Sequence, residues 1–185
     1  MSQKTGGQDL RVVKTRRSIE EAFLRLLRAR RFNQITVQDV VDEALVNKGT
    51  FYRHYHDKYD LADQLKRERI RAFGEVVSRH TPASPLSGAT MGLMGPMLDT
   101  PESVLDDLAL LRQVPSDVDV EQGMRATVAN ALREDIWTRS ADSAEAVAWV
   151  ITFLMLGYPE YRRTEGGAAS LDDYIATISH ATTLL

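Results

Sequence analysis

An all-α protein of two domains is predicted, and three observations predict it. Apolar residues recur at helical spacing in almost every segment, strand-like alternation is scarce, and each periodic segment is bracketed by capping or breaking residues. The chain has 185 residues, 43% of them apolar, enough for a real core. The expected division is an N-terminal domain, 1–56, and a C-terminal domain, 57–185, with a composition shift further on, at 81–97.

The elements justify themselves in order. Residues 1–9 are polar and are expected to be a loose tail. From Leu10 to Arg31, Ile19, Ala22, Phe23, Leu26 and Leu27 form one apolar stripe, with Arg16, Arg17, Arg25 and Arg28 opposite. Thr36 can cap a second helix over residues 35–44, with Asp39 three residues on reaching back, while Val37, Val40 and Val41 face inward. Asn47 is the natural cap of a third helix over residues 47–54. Asp57 starts a long connecting helix, 57–79, whose stripe is Leu61, Leu65, Ala72, Phe73, Val76 and Val77.

The stretch 81–97, TPASPLSGATMGLMGPM, mixes Pro, Gly, Ser and Met and reads as a linker or loosely ordered segment. Its methionines, Met91, Met94 and Met97, read first as adaptable packing and second as a ligand-gripping row. Thr100 and Pro101 read as a cap and first helical position. The helix they open carries Val104, Leu105, Leu108 and Leu111 and stops before Pro115. Another covers 117–139. The next, 141–157, is apolar nearly all round and is expected to close at Tyr158-Pro159. Ser170 caps the last helix, with Leu171, Tyr174, Ile175 and Ile178 inward.

Charge and composition bound the function. Residues 1–80 hold 17 Lys and Arg against 11 Asp and Glu, a surplus of six positive charges; residues 81–185 hold 6 against 15, a deficit of nine. A basic first part on an acidic remainder suggests that the first part meets a polyanion. Cysteine is absent, which excludes disulfides, thiol nucleophiles and zinc–thiolate sites. The N-terminus has no apolar run of a secretory signal, and the longest uncharged apolar stretch, 146–158, is 13 residues, short of a bilayer. A cytoplasmic protein with no membrane partner is expected.

No enzyme, cofactor or metal is expected. His54 and His56 sit two apart, so on a helix their rings diverge. Asp106-Asp107 and Asp172-Asp173 are adjacent and likewise face apart, unlike a general acid/base pair. There is no phosphate-cradling Gly loop and no nucleophile elbow.

The pattern that carries chemistry is a helix, a tight break and a second helix of about two turns, the plan of a helix-turn-helix. Only Phe51 and Tyr55 can anchor the second helix. Lys48, Thr50, Tyr52, Arg53 and His54 point outward as donors suited to base edges and phosphates. Gly49 removes a side chain where a backbone could approach closely.

VNKGTFYRHYHDKYDL, residues 46–61, resembles the DNA-binding signature of TetR/AcrR-type transcriptional regulators. The likeness extends over about 14–65: an Arg-rich first helix, F-x-x-I-T-V-x-D-V from Phe32, the recognition helix, then D-K-Y-D-L from Asp57. It implies a three-helix DNA-binding domain followed by a helical ligand-binding and dimerisation domain. It implies a phosphate contact at Thr36, with Asn47 and Gly49 inside the motif. Base or phosphate contacts would fall at Lys48, Thr50 and Arg53, phosphate clamps at Tyr52 and His54, and a further phosphate contact at Lys58. Arg16 and Arg17 could add contacts from the first helix. The partners implied are a double-stranded DNA operator with two-fold half-sites, a second copy of the chain, and a small-molecule effector. The effector would sit near Phe73, Met97, Leu105 and Trp137. The last two helices would pair with their copies through Trp149, Phe153, Leu156, Ile175 and Ile178, although only part of each helix can face a partner and the rest is intrachain core. The functional expectation is a sequence-specific regulator, a repressor released by ligand; the alternative is a protein-binding co-regulator of the same fold.

Two positions depart from the family pattern. Leu45 stands in the turn where Gly commonly follows Ala, so the turn either takes another conformation or carries strain. Tyr55 replaces the usual Phe, and its hydroxyl needs a partner or water.

Overall fold

The structure is a computed structural model that describes residues 5–79, 99–134, 141–167 and 169–183. Met97, Trp137 and the Pro- and Met-rich stretch before Met97 lie outside the described residues. Among the described residues there are eight α-helices and no strand. They are α1 (Thr5–Ala29), α2 (Val37–Glu43), α3 (Lys48–Tyr52), α4 (Lys58–Arg79), α5 (Glu102–Leu111), α6 (Val120–Glu134), α7 (Ala141–Thr164) and α8 (Leu171–Thr183), with a 3-10 turn at Phe32–Gln34. No described helix is long and apolar enough to cross a membrane.

The chain forms two compact units. The first ends at Leu65 and includes Val114–Asp117; the second takes Lys66–Gln113 and everything from Val118 on. The division therefore falls within α4.

The first unit is built around α1. Its stripe of Ile19, Ala22, Phe23, Leu26 and Leu27 is buried, and Leu24 is buried beside it, so the apolar face is wider than the periodicity indicates. Phe32 meets the Phe23 and Tyr59 rings edge-on, with centroids 6.2 and 5.1 Å apart. Val40, Val41 and Ala44 bring α2 onto this core. Arg25 of α1 pairs with Glu43 at 2.7 Å, and Arg30, just past α1, pairs with Asp39 at 3.2 Å, so both ends of α2 are tied down. Helix α1 starts at Thr5, so part of the expected loose tail is helical; side-chain periodicity reports only the packed part of a helix.

In the second unit α4 and α6 pack closely at two glycines. A Cβ at Gly123 would stand 2.6 Å from Ile70 Cδ1, and one at Gly74 would be 3.2 Å from Thr127 Cγ2. The buried Lys66 ammonium donates to the Val118 carbonyl at 2.9 Å, and Arg69 donates to Asp107 at 2.9 Å. Two boundaries differ from expectation. Helix α5 begins at Glu102, with Pro101 as its cap residue, one position later than the Thr100 cap implied. Helix α7 runs through Pro159 to Thr164 instead of closing at Tyr158-Pro159. The turn after the proline is held from outside the helix. Arg162 pairs with Glu102 and Asp106, and the buried Tyr158 hydroxyl donates to Glu102 at 2.6 Å. Burial, and then that hydrogen bond, push the Tyr158 hydroxyl up to about 12. These contacts offset the roughly 3 kcal/mol that an interior proline costs a helix. Gly166 and Gly167, at φ 67° and 79°, then supply the left-handed turn that ends it.

Candidate nucleic-acid interface

The break between α2 and α3 is made by local hydrogen bonds that the residue types dictate. Thr36 caps α2: its hydroxyl accepts from the Asp39 amide at 3.1 Å, and Asp39 accepts from the Thr36 amide at 2.8 Å. The Thr36 hydroxyl also donates to Asp39 at 2.6 Å, and these bonds hold the Asp39 carboxyl below its ordinary value. At Asn47 the side-chain oxygen accepts from the Thr50 amide at 2.7 Å and starts α3. Helix α3 is five residues long, shorter than the expected 47–54, and Arg53 and His54 form the turn that follows.

A helix of that length has no stability alone, so its anchors decide its placement. Phe51 is fully buried, and Tyr55, just past the helix, is 2% exposed, with ring centroids 5.6 Å apart. The Tyr55 hydroxyl donates to Glu20 Oε1 at 2.7 Å, in the interior. Arg16 Nε donates to the same oxygen at 2.7 Å. Burial, and then the bond to Glu20, raise the Tyr55 hydroxyl well above its ordinary value.

With those two rings turned in, the remaining side chains of the segment face out. Lys48, Gly49, Tyr52 and Arg53 are exposed, and Thr50 and His54 are half-buried. Arg53 donates to the Thr50 hydroxyl at 2.9 Å, which joins a cation and a hydroxyl into one donor group. Among the described residues nothing requires Gly49 to lack a side chain: a Cβ there would stand 3.4 Å from the Asn47 side-chain oxygen. The surface is thus cationic, donor-rich and open at its shortest side chain, the chemistry needed to lie against a phosphate backbone and base edges.

Residues 19–65 match the family described as bacterial regulatory proteins, tetR family. They form a tetR-family domain. A relative from Bacillus subtilis (strain 168), the uncharacterized HTH-type transcriptional regulator YxbF, is 32% identical over 77 residues, 41% of this chain. The match spans 20% of that relative's length.

Within the tetR-family domain, three side chains named by resemblance are engaged in ways the sequence does not show. Lys58 donates to the Phe32 and Ile35 carbonyls, at 3.0 and 2.7 Å, with its ammonium 4.4 Å from the centre of the Phe32 ring. It fastens the start of α4 to the loop before α2. Arg16 belongs to the Glu20 pair already described, and Arg17 pairs with Glu21 at 2.8 Å on the surface.

Glu20 itself has no counterpart in the sequence reading. Its only signal was its position four residues after Arg16, at the edge of an apolar stripe. Leu45 resolves the open question of the turn. Its φ is 56°, the left-handed region, where an L-residue is strained by about 1–2 kcal/mol. Arg11, Val12 and Thr15 of α1 are a further addition: with the turn and α3 they line a groove of about 590 Å³.

The remaining candidates lie in the second unit. Phe73, Leu105 and Leu156 are buried within it. Trp149 and Phe153 on α7 are 53% and 73% exposed, and Ile175 and Ile178 on α8 are half-buried. Arg125 lies 3.9 Å over the Trp149 ring.

Proposed function

We propose that the chain is a sequence-specific DNA-binding transcriptional regulator that binds a double-stranded operator as a homodimer and is a repressor released by a small-molecule effector. The observation that carries the reading is the division of labour in the segment from Asn47 to Tyr55. Phe51 and Tyr55 hold it to the core, and Lys48, Tyr52 and Arg53 stand open on the other side. The positive surplus of the first 80 residues supports the same partner.

One such short helix reads few bases, so two copies reading half-sites about one helical turn apart are needed for specificity. The exposed Trp149, Val150 and Phe153 on one helix supply an apolar surface for the second copy. Phe73 and Leu105 contribute to the interior in which an effector would lodge. An effector that favours one spacing of the two recognition helices over another would release the operator. The site of action would be the cytoplasm, where the duplex is.

Titrations of duplex against the chain over a range of salt concentrations test this. Affinity should fall steeply with salt as phosphate counterions are exchanged. Tyr52→Ala should weaken binding to all duplexes alike, whereas Lys48→Ala or Arg53→Ala should weaken it and relax sequence preference, by about 1–3 kcal/mol at a base contact. Variants that bind as tightly as the parent would refute the interface. Salt-insensitive weak retention of DNA with firm capture of a protein would favour the co-regulator alternative.

The pH dependence has a defined sign. Burial first, then the charges of Arg53 and Arg16, hold the His54 imidazole below its ordinary value, against the opposing pull of Glu20. In the free protein His54 therefore gains its proton at a lower pH than in an unfolded chain, where a histidine titrates near 6.5. Its contribution to stability is present above that pH and lost as pH falls through the depressed value. A neighbouring phosphate favours the imidazolium, so duplex binding takes up a proton. Affinity measured by fluorescence anisotropy should rise as pH falls from about 7.5 to about 5.5. The rise should be absent in His54→Gln; an identical pH profile in that variant would remove His54 from the interface.

A further inference from the structure

We propose that Leu45 is a specificity-determining residue that reads the methyl group of a thymine in the major groove. The inference rests on the regulator reading above and deepens it. Three observations converge on this residue. It holds a left-handed backbone, φ 56°, which glycine would occupy without strain. Its side chain is 92% exposed, so the leucine gives the protein's own core nothing in return. It lines the same groove as Asn47, Thr50 and Arg53, the polar side of the recognition segment, with Arg11 and the half-exposed Val12 approaching from α1.

Strained residues whose strain no internal contact explains point to function at the site where they occur. The chemistry of the groove says which function. Cations from two elements, Arg11 and Arg53, flank the leucine, and such a setting complements a polyanion better than an apolar protein surface. In a duplex, the major-groove edge of thymine offers a methyl group beside the O4 acceptor. Leu45 supplies the apolar contact to the methyl while Asn47 and Thr50, two and five positions on, supply polar groups to the neighbouring edges.

The test uses the 185-residue chain and a random-sequence duplex library. Sites are selected separately with the parent, Leu45→Ala and Leu45→Gly. In the parent's selected duplex, each thymine is then replaced in turn by deoxyuridine, which removes only the methyl. The expected result is one thymine per half-site at which the replacement weakens the parent about fourfold, the value of one buried methyl. Leu45→Gly should be indifferent to that replacement and should lose the preference for thymine there. Its thermal melt should match or exceed the parent's, which shows that the loss is one of reading and not of folding. A parent that binds selectively but is insensitive to every deoxyuridine overturns the assignment and leaves the regulator reading intact. So does a Leu45→Gly variant with unchanged preference. A parent that selects no sequence refutes the regulator reading and this one together. A Leu45→Gly variant whose only change is weaker self-association in sedimentation without DNA overturns the assignment in favour of a contact between copies of the chain.

Discussion

Phe51→Ala is expected to destabilise the first unit by about 3–5 kcal/mol and to remove duplex binding with it. The size of the effect follows from how little else holds α3. The helix has five residues, its only internal cap is Asn47, and Phe51 is its one fully buried side chain. Truncating the ring leaves a cavity against Tyr52 and Tyr55, whose ring centroids lie 5.5 and 5.6 Å away. The recognition segment then has no fixed position relative to α1 and α2. Urea unfolding followed by circular dichroism gives the stability, and duplex titration gives the binding. Lys48→Ala, exposed and outside the core, is the control: it should lose affinity with an unchanged unfolding midpoint. A Phe51→Ala variant within about 1 kcal/mol of the parent would mean that α3 is placed by something other than this ring.

Glu20→Ala is the second large effect. One carboxylate oxygen takes hydrogen bonds from both Arg16 and Tyr55, each at 2.7 Å, and Glu20 is 6% exposed. Removing it takes from the buried Tyr55 hydroxyl its carboxylate acceptor and from Arg16 its ion-pair partner. A loss of about 2–3 kcal/mol is expected, at the low end for a broken buried pair because Arg16 is partly open to water. Tyr55→Phe removes the donor but leaves the Arg16–Glu20 pair, so it should cost about 1 kcal/mol. The double variant should cost less than the two losses added, because both delete the same bond. Additive losses would show that Glu20 and Tyr55 do not support one another. The raised Tyr55 hydroxyl adds a signature. Its share of stability is present below the ordinary tyrosine value near 10 and declines above it, and Tyr55→Phe should flatten that alkaline decline.

Much of the first unit was legible because its rules are local. Thr36 with Asp39 and Asn47 with Thr50 form the caps that their spacing dictates, as Ser170 does with Asp173 in the second unit. The stripe of α1 is buried as its period requires. The extent of α7 was not legible. Proline is a local stop signal, and what carries the helix past Pro159 is the pairing of Arg162 with Glu102 and Asp106, 60 and 56 positions away in the chain. Lys58 illustrates the same limit at the interface. Resemblance marks it as a cation, but its bonds to Phe32 and Ile35 exist only once α4 is folded against the preceding loop.

By itself the sequence determined the helical class, the caps at Thr36, Asn47 and Ser170, the broken helix with its outward donors, and the charge that favours a polyanion. Each is set within a few residues by backbone sterics, hydrogen-bond geometry and periodicity. Tertiary structure alone decided that Glu20 would join Arg16 to Tyr55, that Leu45 would stand strained and open in the groove, and which apolar side chains of α7 would be core and which exposed. Those outcomes depend on what lies across the fold from each residue. Packing and burial are properties of neighbours in space, and the local pattern of the chain does not name them.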